Sequence, residues 1–284
     1  VRVRSTDGVE VQVHELGGRG PDLLLAHGTG LHGLVFTPLA RHLTSSFRCW
    51  SLDARAHGDS TAPVGRTLEW EGFADDVLAV IDALGLDRPY GVGHSKGSTT
   101  LLLAEQRRPG TFRALYCYEP ALAPFDIPPG ERPRNVMAEA ARKRRATFAS
   151  HDEAYENFAA KRPMADLHPD ALRAYVEHGL GATDDGTVTL KCTPEVEAEV
   201  YENGTSHRAF PMLPTVGCPV TVALGDEEQV PAAFGRAIAE RLPEATVASF
   251  PDLGHFGPLQ DPERVAASVL QAFGAPTAGP EPLS

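Results

Sequence analysis

The segment Gly91-Val92-Gly93-His94-Ser95-Lys96-Gly97 sets a serine in the spacing G-x-S-x-G, where an apolar run gives way to a helical one. Pro89–Gly93 reads as a strand and Ser95–Arg107 as the helix that follows. A chain that passes from strand to helix so abruptly must turn sharply. Glycines two before and two after the serine permit that turn and let strand and helix approach closely. The hydroxyl is lifted out of the sheet, and the positive end of the helix points at it. This is the geometry of a nucleophile, and it directs attention to a base, an acid and an oxyanion hole.

Strand-like and helix-like runs alternate on both sides of this turn. Val1–Arg4 and Val9–His14 flank Asp7-Gly8 and read as a hairpin. Asp22–Ala26, Phe47–Leu52 and Phe112–Tyr118 read as strands. Trp70–Leu84 carries Phe73, Val77, Leu78, Val80, Ile81 and Leu84 at helical spacing. The same alternation resumes at Val220–Leu224, a helix near Ala232–Arg241, Ala245–Phe250 and Pro262–Phe273. This order predicts an α/β fold: a mostly parallel, twisted sheet with helices on both faces. Between about Ala121 and Pro214 the alternation stops. Val136–Phe148, Asp152–Ala160, Pro169–His178 and Pro194–Tyr201 read as helices, with one strand-like piece at Thr187–Lys191. The expected organisation is therefore a core of residues 1–120 and 215–276, a helical insertion at 121–214, and a disordered Pro- and Gly-rich tail at 277–284.

With 284 residues the chain is long enough for one large α/β domain with an insertion. Its net charge of -12 argues against nucleic acid and against an anionic membrane surface as partners. No apolar run of about 18 residues predicts a membrane span. The start, Val1-Arg2-Val3-Arg4, does not read as a signal peptide and lacks an initiator Met, so processing or trimming is expected. Cys49, Cys117, Cys192 and Cys218 lack C-x-x-C spacing and read as buried, reduced thiols of a cytoplasmic protein. No closed ligand set for zinc is visible. Oligomeric state is not readable.

Ser95 is the candidate nucleophile. His255 is the candidate base: it lies on the glycine-rich loop Pro251–Pro258, just past a strand. From there an imidazole can take the Ser95 proton and return it to a leaving group. Two carboxylates are candidates for orienting that imidazole. Glu119 follows the strand Phe112–Tyr118, and Glu228 follows Val220–Leu224; Asp226 is a third, weaker choice. Oxyanion donors are expected from the backbone N–H of Lys96 and from the turn His27-Gly28-Thr29-Gly30, at Thr29. His27 and His57 lie in turns and read as loop-shaping residues; His94 lies on the strand side of the elbow.

Taken together, HGTG at His27–Gly30, DARAHGDS at Asp53–Ser60, GHSKG at Gly93–Gly97, GDEEQVP at Gly225–Pro231 and GHFGPLQDPE at Gly254–Glu263 resemble the α/β-hydrolase fold superfamily. The resemblance runs from about Val9 to Phe273. It implies that the insertion is a cap over the substrate pocket, that Ser95, His255 and the oxyanion donors are catalytic, and that no cofactor or metal is needed. Two departures stand out. The acid usually found after the strand before GDEEQVP is an Asp; here that place holds Glu228, while Tyr118-Glu119-Pro120 resembles the variant with the acid one strand earlier. Lys96 replaces the usual Met or Gln, and its ammonium is expected either to pair with a lid or loop carboxylate or to contact an anionic substrate group. Arg142-Lys143-Arg144-Arg145, read as helical, would point in four directions and form a solvated face, with an anion site at the pocket mouth as the alternative.

Relatives that open epoxides or remove halogens carry an aspartate where this chain has Ser95, so those reactions are disfavoured. The expected function is hydrolysis of a small-molecule carboxylic ester, lactone or thioester. C–C bond hydrolysis, perhydrolysis and acyl transfer use the same residues, and a ligand-binding pseudoenzyme is the reading from outside catalysis.

Overall fold

The computed structural model describes residues 1–124, 134–226 and 228–275; the tail expected at 277–284 lies outside them. The elements in chain order are β1 (Arg2–Arg4), β2 (Glu10–Gly17), β3 (Asp22–Ala26), α1 (Thr37–Arg41), β4 (Arg48–Leu52), α2 (Trp70–Leu84), β5 (Tyr90–His94), α3 (Lys96–Arg107) and β6 (Leu115–Tyr118). Then follow α4 (Val136–Ala141), β7 (Thr147–Phe148), α5 (His151–Ala159), α6 (Pro169–Gly179), β8 (Leu180–Ala182), β9 (Val188–Leu190) and α7 (Pro194–Glu202). The chain closes with β10 (Val220–Leu224), α8 (Val230–Arg241), β11 (Ala245–Ser249), α9 (Gly257–Gln260) and α10 (Pro262–Ala272).

Eight strands form one sheet in the order β1-β2-β4-β3-β5-β6-β10-β11. β2 runs antiparallel to both neighbours, and every pair from β4 to β11 is parallel. Alternate side chains of one strand serve opposite faces. In β3, Leu24 joins a cluster with Val77 of α2, Leu101 of α3 and Ile238 of α8. Its neighbours Leu23 and Leu25 join the other, with Leu39 of α1 and Val265 and Val269 of α10. Burying each such side chain contributes about 1.5–3 kcal/mol, so the two clusters hold helices against both faces. The sheet carries the loops of the candidate site at the C-terminal ends of β3, β5, β6, β10 and β11.

The segment between β6 and β10 is less helical than expected: the strand-like piece at Thr187–Lys191 is β9, and two further strands flank it. It holds a three-stranded antiparallel sheet, β7-β9-β8, whose Phe148, Leu180, Val188 and Leu190 are buried. The helix expected over Val136–Phe148 stops at Ala141. There the backbone bonds tighten, Lys143 N–H donating to Ala140 O and Arg144 N–H to Ala141 O. Such three-residue bonds end a helix and release the chain into β7. Arg142 and Lys143 therefore lie in a turn, and Arg144 and Arg145 in the irregular stretch before β7. Among the described residues, no helix is long and apolar enough to cross a membrane. All four cysteines are buried and free.

Candidate active site

The elbow follows from two steric demands. A Cβ on Gly93 would lie 2.5 Å from the Ser98 backbone, and one on Gly97 would overlap the Ala26 carbonyl. Only bare glycines let α3 descend so close to β3 and β5. Ser95 accordingly sits at φ 54°, ψ -120°, a conformation rare for a non-glycine residue. Hydrogen bonds hold it there: its N–H donates to Tyr118 O at 2.9 Å, and its carbonyl accepts from Ala121 N–H at 3.2 Å.

The structure brings Ser95, His255 and Glu119 into one line. His255 Nε2 lies 2.9 Å from Ser95 Oγ, and His255 Nδ1 lies 2.6 Å from Glu119 Oε2. Glu119 is buried at the end of β6, at φ 40°. Its other oxygen, Oε1, accepts the Gly225 N–H at 2.8 Å. Gly225 matters because a Cβ there would lie 2.8 Å from that oxygen. The carboxylate thus passes beneath β10 through a gap left by a glycine to reach the loop after β11.

Glu228 does not reach His255. Its own loop is closed by Asp226, whose Oδ1 accepts the Glu228 N–H at 3.1 Å and whose carbonyl accepts the Gln229 N–H at 3.1 Å. That turn leaves Glu228 exposed just before α8. Asp226 is also occupied here and makes no hydrogen bond to His255.

His94 gained only a minor place from the sequence, yet it braces the loop that carries the candidate base. Its Nε2–H donates to the His255 carbonyl at 2.7 Å, and burial lowers its pKa to about 3, so it serves as a neutral brace. Tyr118 adds a second brace, its Oη–H donating to Gly254 O at 3.0 Å. The signal for both was their place at the ends of β5 and β6, beside the loop.

The turn His27–Gly30 lies directly over the serine: a Cβ on Gly28 would lie 3.3 Å from that of Ser95. His27 shapes this turn. Its Nδ1–H donates to Gly28 O at 2.7 Å, and its Nε2 accepts the Ala54 N–H at 2.9 Å. Burial drives its pKa well below the usual value and keeps it neutral. Asp53 anchors the neighbouring loop by accepting N–H bonds from Gly33 and Asp59. The N–H groups of Thr29 and Lys96 have no hydrogen-bond acceptor among the described residues. Lys96 N–H is moreover the first of α3, where the helix dipole adds positive potential.

The Lys96 side chain takes neither expected course. It is buried, makes no ion pair among the described residues, and lies with Nζ 4.2 Å from the centre of the Phe73 ring. Burial under the turn lowers its pKa from 10.5 to about 7. Between those values the unfolded chain binds more protons than the folded one, so stability rises as pH climbs from about 7 to about 10.5. Lys96→Met is expected to flatten that rise and to raise the melting temperature at pH 7 by about 5 °C. Thermal scans of both proteins across this range check it; parallel profiles would refute it.

Beside the turn His27–Gly30 opens a cavity of about 470 Å³, an ordinary size for a small-molecule site. Thr29, Gly30 and Phe256 line it from the core, and Arg144, Tyr175 and Glu197 from the inserted segment. Among the described residues no cluster of His, Cys, Asp or Glu is arranged to hold a metal.

A sequence model of the Alpha/beta hydrolase family matches residues 23–268. The chain belongs to this family. A 2-(acetamidomethylene)succinate hydrolase of Mesorhizobium japonicum (strain LMG 29417 / CECT 9101 / MAFF 303099) is 27% identical over 260 residues, covering 91% of this chain and 90% of the relative. A bifunctional esterase/perhydrolase of Acinetobacter calcoaceticus is 25% identical over 288 residues, covering 94% and 97%. The crystal structure of an E-2-(acetamidomethylene)succinate hydrolase superposes with a TM-score of 0.76 at 23% identity, over 97% of this chain and 99% of that one. That likeness establishes the fold: an alpha/beta hydrolase with a mostly parallel sheet. Hydrolase-named relatives across nearly the full length make this family member a hydrolase in the broad sense.

Proposed function

We propose that this alpha/beta hydrolase cleaves a small carboxylic ester, lactone or thioester through an acyl-enzyme on Ser95, with His255 as base and Glu119 as the orienting acid. The observation that carries this reading is the unbroken line from Glu119 through His255 to Ser95. Ser95 Oγ attacks the acyl carbon as its proton passes to His255 Nε2. The oxygen of the tetrahedral intermediate is stabilised by the N–H groups of Thr29 and Lys96. The C–O or C–S bond then breaks, and His255 returns the proton to the departing alkoxide or thiolate. Water next gives a proton to His255, adds to the acyl carbon, and releases the carboxylic acid with Ser95 restored. The inserted segment acts as a cap, and Leu31, Met137, Phe158 and Met164 supply apolar surface for a short acyl chain.

A fluorophosphonate probe is expected to label Ser95, detected by peptide mass spectrometry, and aryl esters with acyl chains of about two to eight carbons should turn over. Folded protein that resists labelling would overturn the proposal. Full labelling with negligible ester turnover would move the reaction to another on the same residues, such as C–C bond hydrolysis.

A further inference from the structure

The chain has a net charge of -12, yet its cavity wall is basic. Lys143, Arg144, Arg145, Lys161 and Arg162 line the cavity, against one carboxylate, Glu197. Arg145 and Arg162 are neutralised by Glu153 and Asp166. Lys143 has no carboxylate within ion-pair distance among the described residues, and Lys161 Nζ donates only to Asn157 Oδ1, at 2.7 Å. A local excess of positive charge in an acidic protein raises the concentration of anions at that point.

Arg144 is the member set for recognition. Its side chain is only about one-quarter exposed. One Nη1–H pairs with Glu197 Oε2, and one Nη2–H donates to Tyr175 Oη at 2.6 Å. A guanidinium has five N–H donors. The Nε–H and the second hydrogen of each Nη have no acceptor among the described residues. Two bonds thus fix the plane of the group and leave donors for a ligand, the arrangement that suits a carboxylate. Glu197 also ties the group to the reacting centre, since its carboxylate packs on Gly30, where a Cβ would lie 2.9 Å from Oε1. Arg144 is therefore one side chain away from the turn proposed to hold the oxyanion.

We propose that the substrate carries a free carboxylate at the far end of a short acyl chain, and that Arg144 holds this carboxylate while Lys143 and Lys161 draw it in. The substrate class is a half-ester, or equivalent acyl derivative, of a short dicarboxylic acid. This rests on the proposed hydrolysis at Ser95.

The test uses an isosteric pair of methyl esters: monomethyl glutarate, which is anionic, and methyl glutaramate, which is neutral. The full chain should favour the anionic ester in kcat/KM by at least about 10-fold, through a lower KM, as a hydrogen bond to a buried charge implies. The preference should shrink in added salt, which screens the exposed lysines. In Arg144→Gln the ratio of the two kcat/KM values should fall by about 10- to 100-fold. A ratio measured on one sample is independent of the fraction folded. A Lys143→Gln/Lys161→Gln double variant, altered only at exposed positions, should lose most of the salt dependence. Equal rates for the two esters, or a ratio kept in Arg144→Gln, would overturn the subsite while leaving hydrolysis intact. If neither ester turns over and the fluorophosphonate leaves Ser95 unlabelled, the hydrolase reading itself has failed.

Discussion

Ser95→Ala is expected to lower kcat against any good ester by about 10⁶-fold, the scale seen when the serine of a comparable triad is removed. The reason is local. His255 Nε2 faces the Ser95 hydroxyl at 2.9 Å and no other nucleophile, so the variant loses both the attacking oxygen and the acyl-enzyme. What survives is substrate binding and the donors of the oxyanion turn. Steady-state turnover, with circular dichroism to confirm an unchanged fold, checks the prediction. A variant that keeps more than about one-hundredth of the activity would rule out a covalent route through this serine.

Glu119→Gln is expected to cost about 10³- to 10⁴-fold in kcat, while Glu228→Gln stays within about twofold. Gly225 N–H already donates to Glu119 Oε1, so a glutamine must put its carbonyl oxygen there. Its NH₂ group then faces His255 Nδ1 and requires that nitrogen to accept. The imidazole proton is forced onto Nε2, which can no longer take the proton of Ser95. Among the described residues the Glu228 side chain has no hydrogen bond to His255 through which to act. Comparable mild losses in both variants would mean that neither carboxylate orients the imidazole.

The elbow, the alternation of strands and helices along the chain and the placing of Ser95 and His255 beyond strand ends were legible because each rests on local sterics or periodicity. Glu119 and Glu228 could not be separated that way. Glu119 lies one residue past β6 and Glu228 four past β10, both within loops at strand ends, and the choice depends on the lateral path to His255. The useful signal was Gly225, whose missing side chain opens that path. Lys96 misled because its type suggests a partner, whereas its place at the head of α3 turns it under His27 and against Phe73. The run Arg142–Arg145 misled for a different reason. Helical spacing was extended past Ala141, where the backbone leaves the helix, so a solvated face was favoured over an anion site at the pocket mouth, whereas Arg144 lines the cavity. Of the small sheet β7-β9-β8 only β9 was legible, as the strand-like piece Thr187–Lys191; β7 and β8 were missed because strands of two or three residues are too short to show alternation.

The gap at Gly225 makes the two berths for the proposed triad carboxylate mutually exclusive. While the acid stands on β6, the first position after β10 must stay bare, and no side chain there can serve any other purpose. Were the acid moved to the β10 loop, that position would be released from the constraint, and Glu119 would become a buried charge without its imidazole partner. A redesign that relocates the acid therefore has to change three positions together: the old berth, the new one, and the glycine between them.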